Sequence, residues 1–148
     1  MKNTISFKTK IGWLSVVEKD NEIFSISFNK TKNSGNLSNL LKLRKNINNY
    51  LEKKTKILNP KILFQGTKLQ IRIWKELKKI PYGRTKSYGE IAKIVKTSPR
   101  YVGNVCGQNK HLIVIPCHRV IRTDGGLGGF SAKGGISLKK RLLELEES

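Results

Sequence analysis

Residues 87–107 read SYGEIAKIVKTSPRYVGNVCG, and this stretch decides how the second half of the chain folds. Ser87 and Glu90 stand three apart, the spacing of a capping box that opens a helix. The helix then runs through Ile91, Ile94 and Val95. KTSP breaks the run. Ser98 is a good N-cap and Pro99 suits a first helical position, so a second helix begins there and stops near Gly107. Two short helices across a three-residue break predict a helix-turn-helix.

The same signals extend outward. Thr67 and Gln70 in TKLQ form another capping box, and the helix it opens carries Leu69, Ile73, Leu77 and Ile80 on one stripe until Pro81 ends it. A glycine-rich loop, DGGLGGFSAKGG (124–135), precedes a last helix, ISLKKRLLELEE. Upstream the pattern changes. ISFKT, GWLSVVE and EIFSISF, within residues 5–28, read as strands, with KDN (19–21) as a tight turn. Leu37, Leu40, Leu41, Ile47, Tyr50 and Leu51 mark one face of a helix, and TKILNPKILFQG (55–66) reads as a linker with a short extended piece. The boundary is expected near residue 60, giving an N-terminal α/β domain over 1–60 and a C-terminal domain over 61–148.

At 148 residues the chain is one domain or two very small ones sharing a core. No signal peptide and no membrane-spanning run is read, so a cytoplasmic location without a membrane partner is expected. Cys106 and Cys117 are then expected as reduced thiols. Two cysteines and two histidines lack zinc-finger spacing, so no metal is expected. The net charge of +20 draws the chain to polyanions, nucleic acid first. It is not confined to a tail: residues 1–60 hold 12 basic and 4 acidic side chains, and residues 61–148 hold 18 and 6. A solvated lysine surface would account for such a charge equally well, so the motifs have to decide.

The motif that asks for chemistry is VIPCHRVI (114–121), where Cys117 sits between a proline and a histidine. A cysteine attacks through its thiolate, which a neighbouring base or cation favours. Adjacent residues of an extended segment point in opposite directions. His118 can therefore activate Cys117 only where the chain turns, directly or through a bridging water, and Pro116 fits such an irregular backbone. A buried structural cysteine with a satisfied histidine is the competing reading. The other histidine, His111, shows no partner in its lysine-flanked stretch.

IPCHRVI resembles the active-site signature of the O6-alkylguanine-DNA alkyltransferases, the methylated-DNA–protein-cysteine methyltransferases. IWKELKKIPYGRTKSYGEIA, SPRYVGNVCGQN and RLLELE are similar to further blocks of that family, in family order. The resemblance is close over residues 62–148 and is one of pattern only before that. It implies irreversible transfer of an alkyl group from guanine O6, less efficiently from thymine O4, to Cys117, with no cofactor. It implies His118 as the base acting through a water, Glu146 as the acid that orients it, and Asn109 as the residue holding the active-site turn. Tyr88 falls on the donor to the guanine. Ser131, with Phe130 where a tyrosine is usual, lies in the loop that presents a donor to O6. Arg100 falls on the arginine that intercalates when the nucleotide is flipped out. Ser98, Tyr101 and Gly103 accompany it on the DNA side, and Cys106 is read as packing.

The fold expected is thus an α/β N-terminal unit, a small antiparallel sheet plus helix of ribonuclease-H-like type. A mainly α C-terminal domain follows, with a winged-helix-like helix-turn-helix. The expected partner is double-stranded DNA containing O6-alkylguanine, bound by a monomer. A helix-turn-helix regulator would need no Cys-His-Glu set, and an alkyltransferase-like protein that binds without repair would lack the cysteine.

Overall fold

The structure, a computed structural model, describes residues 2–128 and 135–147. Contacts divide the chain into two compact units. The first runs to Phe64 and takes in Lys110–Val114; the second holds Gln65–Asn109 and the chain from Ile115 onward.

In the first unit β1 (Lys2–Thr9), β2 (Gly12–Lys19) and β3 (Glu22–Ser27) form an antiparallel meander in chain order. Asp20 and Asn21 link β2 to β3 with φ of 51° and 65°. Two consecutive positive-φ residues are what a tight hairpin demands, and these side chains tolerate it. Ile5 and Phe7 pair with Val16 and Leu14 on one face. α1 (Ser38–Leu51) packs against β1 and buries Leu40, Leu43, Ile47 and Tyr50. The opposite face carries Ser6 paired with Ser15 and is covered by polar loop rather than by a helix. Ser15 Oγ donates to the Asn29 carbonyl (3.0 Å), and the Ser6 amide donates to Asn33 Oδ1 (2.8 Å).

Two segments distant in sequence line β3. The Ile23 amide donates to the Lys61 carbonyl (2.8 Å), and the Ile26 amide to the Lys110 carbonyl (2.8 Å). Residues 61–64 and 110–114 thus group with the sheet in the first unit. His111, without a visible partner in the sequence, is buried here with Nε2 2.9 Å from the Ile23 carbonyl.

The second unit follows its capping signals. α2 (Lys68–Lys78) opens on the Thr67–Gln70 box, with side chain–backbone bonds of 3.1 and 2.8 Å. It buries Ile73, Trp74 and Leu77. α3 (Tyr88–Val95) opens on the Ser87–Glu90 box and ends where Lys96 takes φ 61°. α4 (Pro99–Gly107) has Ser98 accepting the Tyr101 amide at 3.1 Å. α3 and α4 pack as the expected helix-turn-helix, and the Trp74 indole of α2 donates to the Val105 carbonyl of α4 (3.2 Å). Before α3, β4 (Lys86–Ser87) pairs in parallel with β5 (Val120–Ile121). α5 (Gly135–Glu147) closes the chain. No helix among the described residues is long and apolar enough to cross a membrane.

Because Ser87 both caps α3 and belongs to β4, its loss loosens the start of the helix-turn-helix. Ser87→Ala is expected to lower stability by about 1 kcal/mol, and Ser87→Asp to restore most of it, since aspartate caps equally well. Urea unfolding of the three proteins checks this.

Candidate active site

The backbone that delivers Cys117 is built from turns. Val114 donates its amide to the Leu112 carbonyl (2.9 Å) around Ile113, whose φ is 73°. That is a γ-turn of the rare form, strained for a β-branched residue. Cys117 donates its amide to the Ile115 carbonyl (2.8 Å) around Pro116, at φ −81° and ψ 65°. That is the common inverse γ-turn. A 3₁₀ turn over Cys117–Arg119 follows directly. The chain thus turns at the Cys-His pair, which an extended run would not do.

Asn109 pins this backbone. Its amide nitrogen donates to the Ile115 carbonyl (2.8 Å) and to Cys117 Sγ (3.2 Å), using one hydrogen for each. Cys117 is 4% exposed. Burial pushes its thiol pKa up, while the Asn109 bond and the Lys139 ammonium pull it down.

His118 is fully buried, with Nε2 2.8 Å from Glu146 Oε2 on α5. The carboxylate fixes the Nε2–H tautomer and leaves Nδ1 as the basic nitrogen. Nδ1 is buried and has no hydrogen-bond partner among the described residues. Burial pushes the imidazole pKa below its ordinary value, against the pull of Glu146. The resting pair is therefore an uncharged thiol and an uncharged imidazole.

Two further groups complete the site, and the sequence reading did not include them. Arg119 grips Glu146 through Nε to Oε1 and Nη2 to Oε2, both 2.8 Å, and donates Nη1 to the Ile80 carbonyl (2.8 Å). Lys139 on α5 is fully buried. Its ammonium donates to the Val120 carbonyl (2.7 Å), the Leu127 carbonyl and the Tyr88 hydroxyl (3.3 Å). Burial lowers its pKa, and the two cysteines pull it back up. A signal for Lys139 was available: it stands in phase with Leu142, Leu143 and Glu146 on the buried stripe of α5. Arg119 carried none beyond its place after Cys-His.

Tyr88, at the start of α3, is half-buried, and its phenol pKa is pushed up to about 12, first by burial. Gly128, at φ 73°, packs on it so closely that a Cβ would lie 2.8 Å from the hydroxyl oxygen. Cys106 on α4 is buried, and burial raises its thiol pKa strongly. Ser98 and Arg100 are exposed at the start of α4, Tyr101 and Gly103 are half-buried, and the Gly103 face meets the Tyr88 ring. Phe130 and Ser131 lie outside the described residues. No group of three or more potential metal ligands occurs among the described residues.

A family model described as the 6-O-methylguanine DNA methyltransferase, DNA binding domain, matches residues 68–148. The methylated-DNA–protein-cysteine methyltransferase of Metallosphaera sedula is 35% identical over 146 residues, spanning 97% of this chain and 92% of that protein. This chain belongs to that family. The Sulfolobus acidocaldarius methyltransferase is 36% identical over 142 residues, covering 95% and 90% of the two chains. Among solved structures, the Mycobacterium tuberculosis O6-methylguanine methyltransferase R37L variant superposes with a TM-score of 0.87 at 32% identity, covering 100% of this chain and 94% of that one. The same organism's protein in complex with DNA gives 0.86 at 33% identity, covering 97% and 92%.

The depressed imidazole makes a pH prediction for this methyltransferase-family chain. The unfolded His118 takes up a proton near its ordinary value of 6.5, whereas the folded one does so only at lower pH. Between those values unfolding binds a proton, so stability is complete above about pH 6.5 and falls as the pH drops below it. Thermal midpoints from pH 8 to 5 are expected to show this decline, and His118→Gln to flatten it.

Proposed function

We propose that this chain repairs DNA by direct reversal. It takes the alkyl group from O6-alkylguanine in duplex DNA, and less efficiently from O4-alkylthymine, onto Cys117. The observation that carries the reading is the buried Cys117–His118–Glu146 set, in a chain whose relatives are named for this reaction.

The uncharged resting pair sets the first step. The thiol proton passes through a water to His118 Nδ1, and the imidazolium so formed lies against the Glu146 carboxylate, which stabilises it. The thiolate attacks the alkyl carbon, the S–C bond forms, and the O6–C bond breaks with its electrons staying on the guanine. Tyr88 donates a hydrogen bond to the departing base. Lys139 suits it to that task by donating into the phenol oxygen, which leaves the phenolic hydrogen for the base. The product is a thioether, and removing its alkyl group would have to expel the Cys117 thiolate, a poor leaving group from a neutral sulfide, so each molecule acts once. Asn109 holds the turn, and in the glycine-rich loop Ser131, with Phe130, is assigned to the O6 side. The chain itself supplies nucleophile, base and donor, and the reading includes no cofactor.

A substituent on O6 is hidden inside a duplex, so the nucleotide has to be flipped out at a cost of a few kcal/mol. Arg100 is assigned to the gap it leaves, with Ser98, Tyr101 and Gly103 along the DNA. The exposure of Ser98 and Arg100 at the free end of α4 supports this. The finer fold reading is also ours: a ribonuclease-H-like N-terminal unit, supported by the β1–β3 meander leading into α1, and a winged-helix-like second unit, supported by the β4–β5 pair beside the helix-turn-helix. A cytoplasmic monomer is the working state we assign.

Incubation with a duplex containing O6-methylguanine, followed by peptide mass spectrometry, is expected to find one methyl group, on Cys117. Cys117→Ala should bind the duplex and transfer nothing; residual transfer would defeat the assignment. Arg100→Ala is expected to slow repair of duplex DNA at saturation far more than attack on free O6-benzylguanine, because a free base has no stack to leave. Equal slowing in single-turnover kinetics would remove Arg100 from the flipping step.

A further inference from the structure

A second basic surface lies outside the helix-turn-helix, on the first unit. α1 contains no acidic residue. Its core-facing side chains are Leu40, Leu43, Ile47, Tyr50 and Leu51, which leaves Lys42, Arg44 and Lys45 exposed. Beyond the helix Lys53, Lys54 and Lys56 are also exposed, and Glu52, paired with Lys54 at 3.3 Å, is the one acidic residue between positions 42 and 56. Like charges this dense repel one another and lower stability unless an anion relieves them.

Lys42 also enters a groove beside α1. The groove has a volume of about 230 Å³ and is lined by Asn39, Asn46, Asn59 and Lys42, with Leu43, Leu58 and Pro60. Amide and ammonium donors in a shallow groove, with no carboxylate among the lining residues, match phosphate oxygens. Lys42 and Lys45 lie three residues apart on the outward side of α1, about 4.5 Å along the helix axis at ~1.5 Å per residue. That suits the oxygens of one phosphate or of two neighbouring ones.

We propose that this face of the first unit, Lys42 and Lys45 with the asparagine-lined groove, is a second binding surface for the DNA phosphate backbone. It holds duplex independently of the helix-turn-helix and without reading sequence. The proposal rests on the reading of the chain as a DNA-repair protein, and extends it to a part of the molecule that reading leaves without a role. Charge complementarity selects the occupant: two exposed lysines one turn apart on a helix without an acid, with three more exposed lysines just beyond it.

The test compares the full chain with the double variant Lys42→Gln/Lys45→Gln. Binding of a lesion-containing duplex is measured against salt concentration. Each phosphate contact contributes about 0.9 to the slope of log affinity on log salt, so two lost contacts make it shallower by about 1.8. The rate with free O6-benzylguanine is expected to stay unchanged, since none of these residues belongs to the Cys117 site. Asn46→Asp, an exposed single change, places a negative charge in the groove and is expected to weaken duplex binding while its melting curve stays that of the parent. An unchanged slope in the double variant together with unchanged affinity in Asn46→Asp overturns the proposal. So does loss of binding to phosphatidylserine vesicles with DNA binding intact, which would make the face a membrane contact. Failure of the parent to gain a methyl group on Cys117 would instead overturn the repair reading, and is scored separately.

Discussion

The carboxylate of Glu146 holds the second unit's chemistry together. It is almost wholly buried, and it is divided between His118 and the fork of Arg119 at three contacts of 2.8 Å. A lone charge in that setting would be very costly, and the bidentate arginine is what makes it tolerable. The same contacts tie the end of α5 to the turn that carries Cys117. Glu146 therefore acts at once as a tether for the last helix and as the group that sets the histidine tautomer. Removing it would leave an arginine and a histidine buried without their acceptor, so its structural and chemical contributions are inseparable by deletion alone.

Around this fixed charge the reactive groups are kept neutral. Burial raises the thiol and lowers the imidazole, and both shifts oppose ionisation before a substrate is present. Lys139 is the counterweight, a fully buried ammonium held by carbonyl oxygens and the Tyr88 hydroxyl. Its field favours a thiolate at Cys117, and its hydrogen bond orients the phenol. One lysine thus acts on both the Cys117 thiol and the Tyr88 phenol. Oriented charges of this kind stabilise developing charge without having to reorganise when it appears.

Charge at the surface is used differently from charge in the core. Lys42, Arg44 and Lys45 stay in water, where each contributes little to stability and much to attraction for a polyanion. Arg119 and Lys139 are fixed by hydrogen bonds and serve geometry. The chain's total of +20 conceals this division, because composition counts both kinds alike.

The division follows the range of the interactions involved. Thr67, Ser87 and Ser98 announced their helices because a cap is a bond between residues three apart, complete within the local sequence. The stripe of α2 and the Asp20–Asn21 turn were legible for the same reason. Cys117 and His118 were legible from the motif, Glu146 and the turn-holding Asn109 as a resemblance, and Pro116 hinted at a bend without giving its form. That was decided by the tertiary structure. The γ-turn around Pro116 is held by Asn109, eight residues before Cys117, which donates to the Ile115 carbonyl and to the Cys117 sulfur. Lys110–Val114 joined the sheet because the backbone of β3 had amides and carbonyls to satisfy, a need with no signature in the joining segment. Lys139 and Arg119 read as two cations among thirty. Only the packing of α5 against the Cys117 turn removed them from water, and removal from water is what turns a common surface charge into a determinant of chemistry.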